Sequence, residues 1–128
     1  MRFKIKIIHH IKLTVSDLKK SKEFYQRLFG FKIVAEYSGF VMFYSGNFYL
    51  GLTDHKGDTQ RQEFNEKDVG LDHVSFEVES KADLDKALSY FKQQNIPHGQ
   101  VEKLSNNLYV LAFRDPDNIQ LELAWRKK

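Results

Sequence analysis

The chain contains no cysteine, which excludes a disulfide framework and any thiolate metal site. A metal held here must be held by histidine and carboxylate. No apolar run approaches the roughly 20 residues a membrane-spanning helix needs. Met1-Arg-Phe-Lys-Ile-Lys-Ile-Ile8 begins like a secretory signal, but lysines interrupt its apolar residues and no small-residue cleavage pattern follows. Basic residues are dispersed: Lys19-Lys20 and Lys127-Lys128 are short pairs, with no aromatic-and-basic ladder and no recognition-helix pattern. These absences predict a soluble cytoplasmic protein with no nucleic-acid and no membrane partner.

What is present is enough for one domain with a real core. The chain has 128 residues, 41% of them hydrophobic, and a formal charge of +3. Its 11 Phe, 6 Tyr and 1 Trp supply the bulk of the core material. Only 29% of residues are charged, with both signs interspersed, so disorder is not expected.

The chain reads as strand, helix and strands, and then the same again. Ile7 to Val15 alternates like a strand. Ser16-Asp17 supplies a helix cap, Leu18, Ser21, Tyr25 and Leu28 follow at helical spacing, and Gly30 is a stop. Lys32 to Tyr37, Phe40 to Tyr44 and Phe48 to Thr53 read as three strands, separated by the turn residues Ser38-Gly39 and Ser45-Gly46-Asn47. In the second half Asp72 to Val78 alternates. Ser80 caps a helix with Leu84, Ala87, Leu88 and Phe91 as its stripe and Asp83 as the capping-box acid. Gln94-Asn95 ends it. Strands follow around Gly99 to Lys103, Leu108 to Phe113 and Ile119 to Trp125. His10-Ile-Lys-Leu-Thr-Val15 aligns with His73-Val-Ser-Phe-Glu-Val78 at an offset of 63, and Leu50-Gly51-Leu52 with Leu121-Glu122-Leu123 at 71. Offsets near half the chain point to a tandem duplication. Polar Asp54 to Asp68 between the halves reads as an exposed, mobile linker that could lie over a pocket rim.

Side-chain parity puts His10, Lys12 and Thr14 on one face of the first strand, and Ile11, Leu13 and Val15 on the helix side. His73, Ser75 and Glu77 share the corresponding face in the second half, as do Gln120, Glu122 and Ala124 in the last strand. Two histidines and a glutamate thus interrupt the faces turned away from the helices. Two imidazoles and one carboxylate suit a divalent ion such as Fe, Mn, Zn, Ni or Co, and three protein ligands leave positions open for water and substrate. Spacing alone does not single these residues out, since each is commonplace on a half-exposed strand. The equivalence of His10 and His73 across the repeat strengthens the case.

Three motifs carry a family resemblance. They are His10-Ile-Lys-Leu-Thr-Val-Ser-Asp-Leu-Lys-Lys-Ser-Lys-Glu-Phe-Tyr25 with Leu28-Phe-Gly-Phe31, then Gly70-Leu-Asp-His-Val-Ser-Phe76, and finally Arg114-Asp-Pro-Asp-Asn-Ile-Gln-Leu-Glu-Leu123. Together they resemble the glyoxalase / bleomycin-resistance / dioxygenase (vicinal oxygen chelate) superfamily over residues 6–126. The resemblance implies an α+β fold of two tandem βαβββ modules, forming a cupped mixed sheet around a central metal pocket with helices outside. The modules would span residues 6–53 and 70–126 of a single domain, with a linker over 54–69. It implies one divalent metal ion (Zn, Ni, Mn, Co or Fe) on His10, His73 and Glu122. The ion would act as a Lewis acid on a small substrate that chelates through adjacent oxygens.

The activity so implied is glyoxalase-like, of the lyase or isomerase type. The alternatives are an extradiol-dioxygenase-like or antibiotic-modifying thiol transferase activity, or a non-catalytic bleomycin-resistance-type binding protein. Glyoxalase-type isomerases carry a fourth ligand, usually Glu, in the last strand of module one, which is also the catalytic base. Here that position is Gly51, so a base must come from elsewhere, with His55 the candidate. The thiol transferase reading is weakened because only six residues follow Glu122. Lys12, Thr14, Ser75 and Gln120 share the ligand face and are substrate-pocket candidates, or else simple solvated residues. Tyr49 is the candidate aromatic wall, and the side-chain volume missing at Gly51 would enlarge the cavity beside it. His9 is expected to pack or face solvent, His98 to lie in a loop, and Arg114 to bridge to the Asp-Pro-Asp turn. The resemblance also implies a homodimer, which an exposed edge strand near Met1 to Lys6 could mediate.

Overall fold

The structure, a computed structural model, describes residues 2–61 and 63–128. Met1, named in the expected dimer edge, lies outside them. The chain divides into two compact units, Met1–Gln62 and Glu63–Lys128, and the division falls inside the expected linker.

In the first unit β1 (His10–Thr14), α1 (Leu18–Phe29), β2 (Lys32–Tyr37), β3 (Phe40–Tyr44) and β4 (Tyr49–Thr53) follow in order. They make a sheet of order β1-β4-β3-β2, with β1 parallel to β4 and the other pairs antiparallel. Helix α1 starts where Asp17, itself extended, accepts the Lys20 N–H at 3.1 Å. It stops at Gly30, whose φ of +64° is a conformation glycine adopts without a Cβ clash. Tyr25 and Ser21 on α1 are buried, as are Leu13, Val41, Phe43, Leu50 and Leu52 of the strands. Burying the large apolar side chains among these contributes about 1.5–3 kcal/mol each.

The second unit repeats this with β5 (Val74–Glu77), α2 (Lys81–Gln93), β6 (Glu102–Lys103), β7 (Leu108–Arg114) and β8 (Gln120–Arg126), in the sheet order β5-β8-β7-β6. β5 runs parallel to β8. Ser80 and Asp83 form the expected capping box at the start of α2. Phe91 of α2 stacks on Phe113 of β7 with ring centroids 4.5 Å apart. Among the described residues no helix is long and apolar enough to cross a membrane.

Several strand boundaries differ from expectation; β5, for one, spans Val74–Glu77 and not Asp72 to Val78. The first strand begins at His10, not Ile7. Its neighbour in the sheet, β4, starts at Tyr49, whose N–H reaches the His9 carbonyl, and no strand among the described residues pairs with the exposed Ile7 and Ile8. The strand expected over Gly99 to Lys103 shrinks to Glu102–Lys103, and upstream a single bridge joins His98 to Phe113. The last strand begins after Ile119, because that residue closes a turn on Asp115.

The expected mobile linker is tied down at both ends. Asp54 accepts the Lys56 N–H at 2.9 Å, and the Thr59 hydroxyl donates to the Val15 carbonyl at 2.9 Å. On the second unit the Phe64 N–H donates to the Asp117 carbonyl at 2.8 Å, and Glu66 meets Arg114.

Candidate functional site

Register shows how each unit presents its face. Along β1 and β4, His10 pairs with Tyr49, Lys12 with Gly51 and Thr14 with Thr53. Along β5 and β8, Ser75 pairs with Glu122. Gly51 and Glu122 are therefore equivalent positions of the repeat, and so are Lys12 and Ser75.

In the second unit the Asp-Pro-Asp turn sets the register that aims Glu122. The Asp115 carboxylate accepts the N–H groups of Asp117 and Ile119, both at 2.8 Å, and Asn118 takes φ +66°. Asn tolerates this left-handed geometry better than most residues. A slip of one residue would move Glu122 to the helix side. The Glu122 carboxylate accepts the Ser75 hydroxyl across the strand pair at 2.9 Å. His73 lies just before β5, its Nδ1 donating to the Asp72 carboxylate at 2.7 Å. Gln120 in turn donates its side-chain amide to both the carboxylate and the carbonyl of Asp72. That chain of bonds places the neutral ring's proton on Nδ1 and leaves Nε2 with a lone pair, as a metal-ligating histidine requires.

In the first unit His10 Nδ1 lies 2.9 Å from His9 Nδ1, so one ring donates and the other accepts. The His9 ring stacks on Tyr49 at 4.9 Å, and Tyr49 lies 4.6 Å from Tyr44. Thr14 hydrogen-bonds His55 Nε2 at 3.0 Å. His55 stays exposed, as its polar context suggested, while its ring reaches back to the strand. It and Lys56 hold φ of +54° and +56° in succession, a conformation costly for non-glycine residues.

Gly51 corrects an expectation. It is buried, and a Cβ placed there would lie 3.2 Å from the Phe40 ring, 3.3 Å from Lys12 Cγ and 3.4 Å from Met42 Cε. The volume the glycine forgoes is filled by its cross-strand neighbours, so it opens no cavity. The Lys12 ammonium lies 4.6 Å from the centre of the Phe40 ring.

Ser75 and Gln120, expected as pocket residues, spend their side chains on Glu122 and Asp72. Asp72 was missed, although its place directly before His73 could have marked it as an orienting carboxylate. Arg114 pairs in a two-pronged contact with Glu66 at 2.9 and 3.1 Å, and also donates to the Asn118 carbonyl beside the Asp-Pro-Asp turn. The Arg114 hydrogen bond holds the Glu66 carboxyl down at about 2 from the usual 4.5, and Glu66 raises Arg114 in return. His98 is half-buried, bonded to the Ile96 carbonyl, as its loop position implied.

The donor chemistry fits a divalent ion. His10, His73 and Glu122 each have one polar atom held by a neighbour and one without a partner among the described residues. Among the described residues no three histidine or carboxylate side chains are gathered closely enough to hold one ion.

Over residues 7–123 the chain matches the family described as Glyoxalase/Bleomycin resistance protein/Dioxygenase superfamily. It is 30% identical over 121 residues to the metallothiol transferase FosB of Staphylococcus haemolyticus, covering 93% of this chain and 83% of that protein. A glyoxylase/bleomycin resistance protein/dioxygenase domain from Frankia sp. EAN1pec superposes with a TM-score of 0.85 at 30% identity, covering 97% of this chain and all of the other. Lactoylglutathione lyase from Agrobacterium tumefaciens superposes with a TM-score of 0.76 at 26% identity, covering 94% of each chain.

Proposed function

Because this chain belongs to the glyoxalase / bleomycin resistance protein / dioxygenase superfamily, we propose that it is a metal-dependent enzyme of the lyase or isomerase kind. His10, His73 and Glu122 hold one divalent ion (Zn, Ni, Mn, Co or Fe), and the substrate is a small molecule with two adjacent oxygens. Such an ion supplies Lewis-acid polarisation of those oxygens. The observation that carries the reading is the preparation of His73 and Glu122: the ring is oriented through Asp72 and Gln120, and the carboxylate is steadied by Ser75.

The chain's own groups do the rest. With Gly51 in place of an acid, the proton acceptor is His55, whose Nε2 reads the Thr14 hydroxyl at 3.0 Å. Thr14 passes a proton between substrate and that nitrogen, and Tyr49 offers a flat wall stacked by His9. A second reading is thiol transfer. The FosB likeness favours it, and so does Gly51, which denies the site a carboxylate base.

Elemental analysis of protein purified without an affinity tag tests the proposal. One equivalent of divalent metal is expected in the wild type, falling below a tenth in His73→Ala and in Glu122→Ala. Metal that survives both substitutions would sink it.

A further inference from the structure

The two units differ most at one register position. In the second, Glu122 sits beside Ser75 and presents a carboxylate. In the first, the equivalent pair is Gly51 and Lys12, and the lysine stem leans into the space the glycine leaves, with Cγ 3.3 Å from where a Cβ would be. The repeat has thus exchanged an anion for a cation on one face. The ammonium lies over the Phe40 ring, 4.6 Å from its centre. Packing of this kind holds the stem while the charged head stays in water. Lys12 makes no ion pair among the described residues, and Thr14 stands two residues further along the same face.

A site with a divalent ion, two neutral imidazoles, one carboxylate and Lys12 carries a net charge of about +2. With a second carboxylate in place of Lys12 it would be neutral. A surplus of positive charge on a substrate-facing surface is offset by an anionic substrate. Resting on the reading above, we infer that Lys12 is a specificity-determining residue. On that inference the substrate carries, beside its chelating oxygens, an anionic oxygen group (carboxylate, phosphate or phosphonate) that pairs with the Lys12 ammonium.

Two chelators that differ in one group test this. Succinic monohydroxamate and its amide, succinamohydroxamate, both offer adjacent oxygens, but only the first has a carboxylate. Calorimetry on the Mn2+-loaded protein should show the carboxylate form bound about tenfold tighter, as expected for a charge-assisted hydrogen bond. Lys12→Met should erase that preference while leaving the amide's affinity unchanged, and Lys12→Arg should keep it. A preference that persists in Lys12→Met, or none in the wild type, overturns the inference.

Failure of the underlying reading shows separately, as wild-type protein that takes up no Mn2+. In that event inorganic phosphate is titrated against metal-free protein with 13C-labelled lysine ε-carbons. The Lys12 signal, identified by its loss in Lys12→Met, should shift at lower phosphate concentration than the other lysines. A shift no different from theirs overturns the inference in that setting too.

Discussion

At the residue scale, Gly51 shows how a local substitution is absorbed. A bare strand position invites a cavity, yet Phe40, Lys12 and Met42 close over it because flexible cross-strand side chains can lean into a glycine's space. His55 shows the converse. Its sequence neighbours are polar and turn-like, so it reads as surface. It is exposed in the structure, where two left-handed residues in succession also bring its ring to Thr14. If that nitrogen accepts the proton, His55→Gln should lower kcat by about 100-fold or more. Metal content and thermal midpoint should stay unchanged. Turnover within threefold of wild type, once a substrate is in hand, would show that the base lies elsewhere.

At the scale of elements, the sequence was read well wherever a cap or a period spoke for itself. Asp17, Gly30 and the Ser80/Asp83 box set the helix ends where expected. What escaped were tertiary choices: where β1 loses its partner, and where the polar stretch after Asp54 finds its anchors. Periodicity carries no signal for either, because both depend on groups far along the chain. Two predictions belong here. The Ser21 hydroxyl is buried on α1 and has no hydrogen-bond partner among the described residues, a cost of about 1–3 kcal/mol. Ser21→Ala should therefore leave stability equal or raise it by about 1 kcal/mol in urea unfolding. A loss of more than that would mean the hydroxyl has a partner.

The second prediction concerns Glu66. Its folded value, about 2, lies below the ordinary 4.5, so the ionised carboxylate favours the folded arrangement. The contribution is complete above pH 4.5 and fades as pH falls toward 2. Salt weakens it, since the pair is partly exposed. The carboxyl 13C shift of Glu66 should titrate near 2 in wild type and near 4.5 in Arg114→Met. A midpoint near 4.5 in the wild type would remove the pairing from the account.

At the scale of the whole molecule, the duplication was legible from two aligned strands, and it is realised as two units with the same sheet order and the same parallel pairing of first and last strands. Register then makes His10 and His73 counterparts at the heads of equivalent strands, and sets Gly51 opposite in role to Glu122. The proposed donor set rests on the same alignment of the two halves. The long-range bonds beside it were not legible: Gln120 reaches Asp72, and Ser75 reaches Glu122, only once the strands pair.

The central claim is that one ion is shared by a histidine from each unit. The most direct test is a long-range 1H–15N spectrum of ring-labelled histidine during a Zn2+ titration of the chain, which has five histidines. The account predicts that the Nε2 signals of His10 and His73 move together and saturate at one equivalent, while His98 stays still. A His73 response without His10, or saturation at two equivalents, would contradict it.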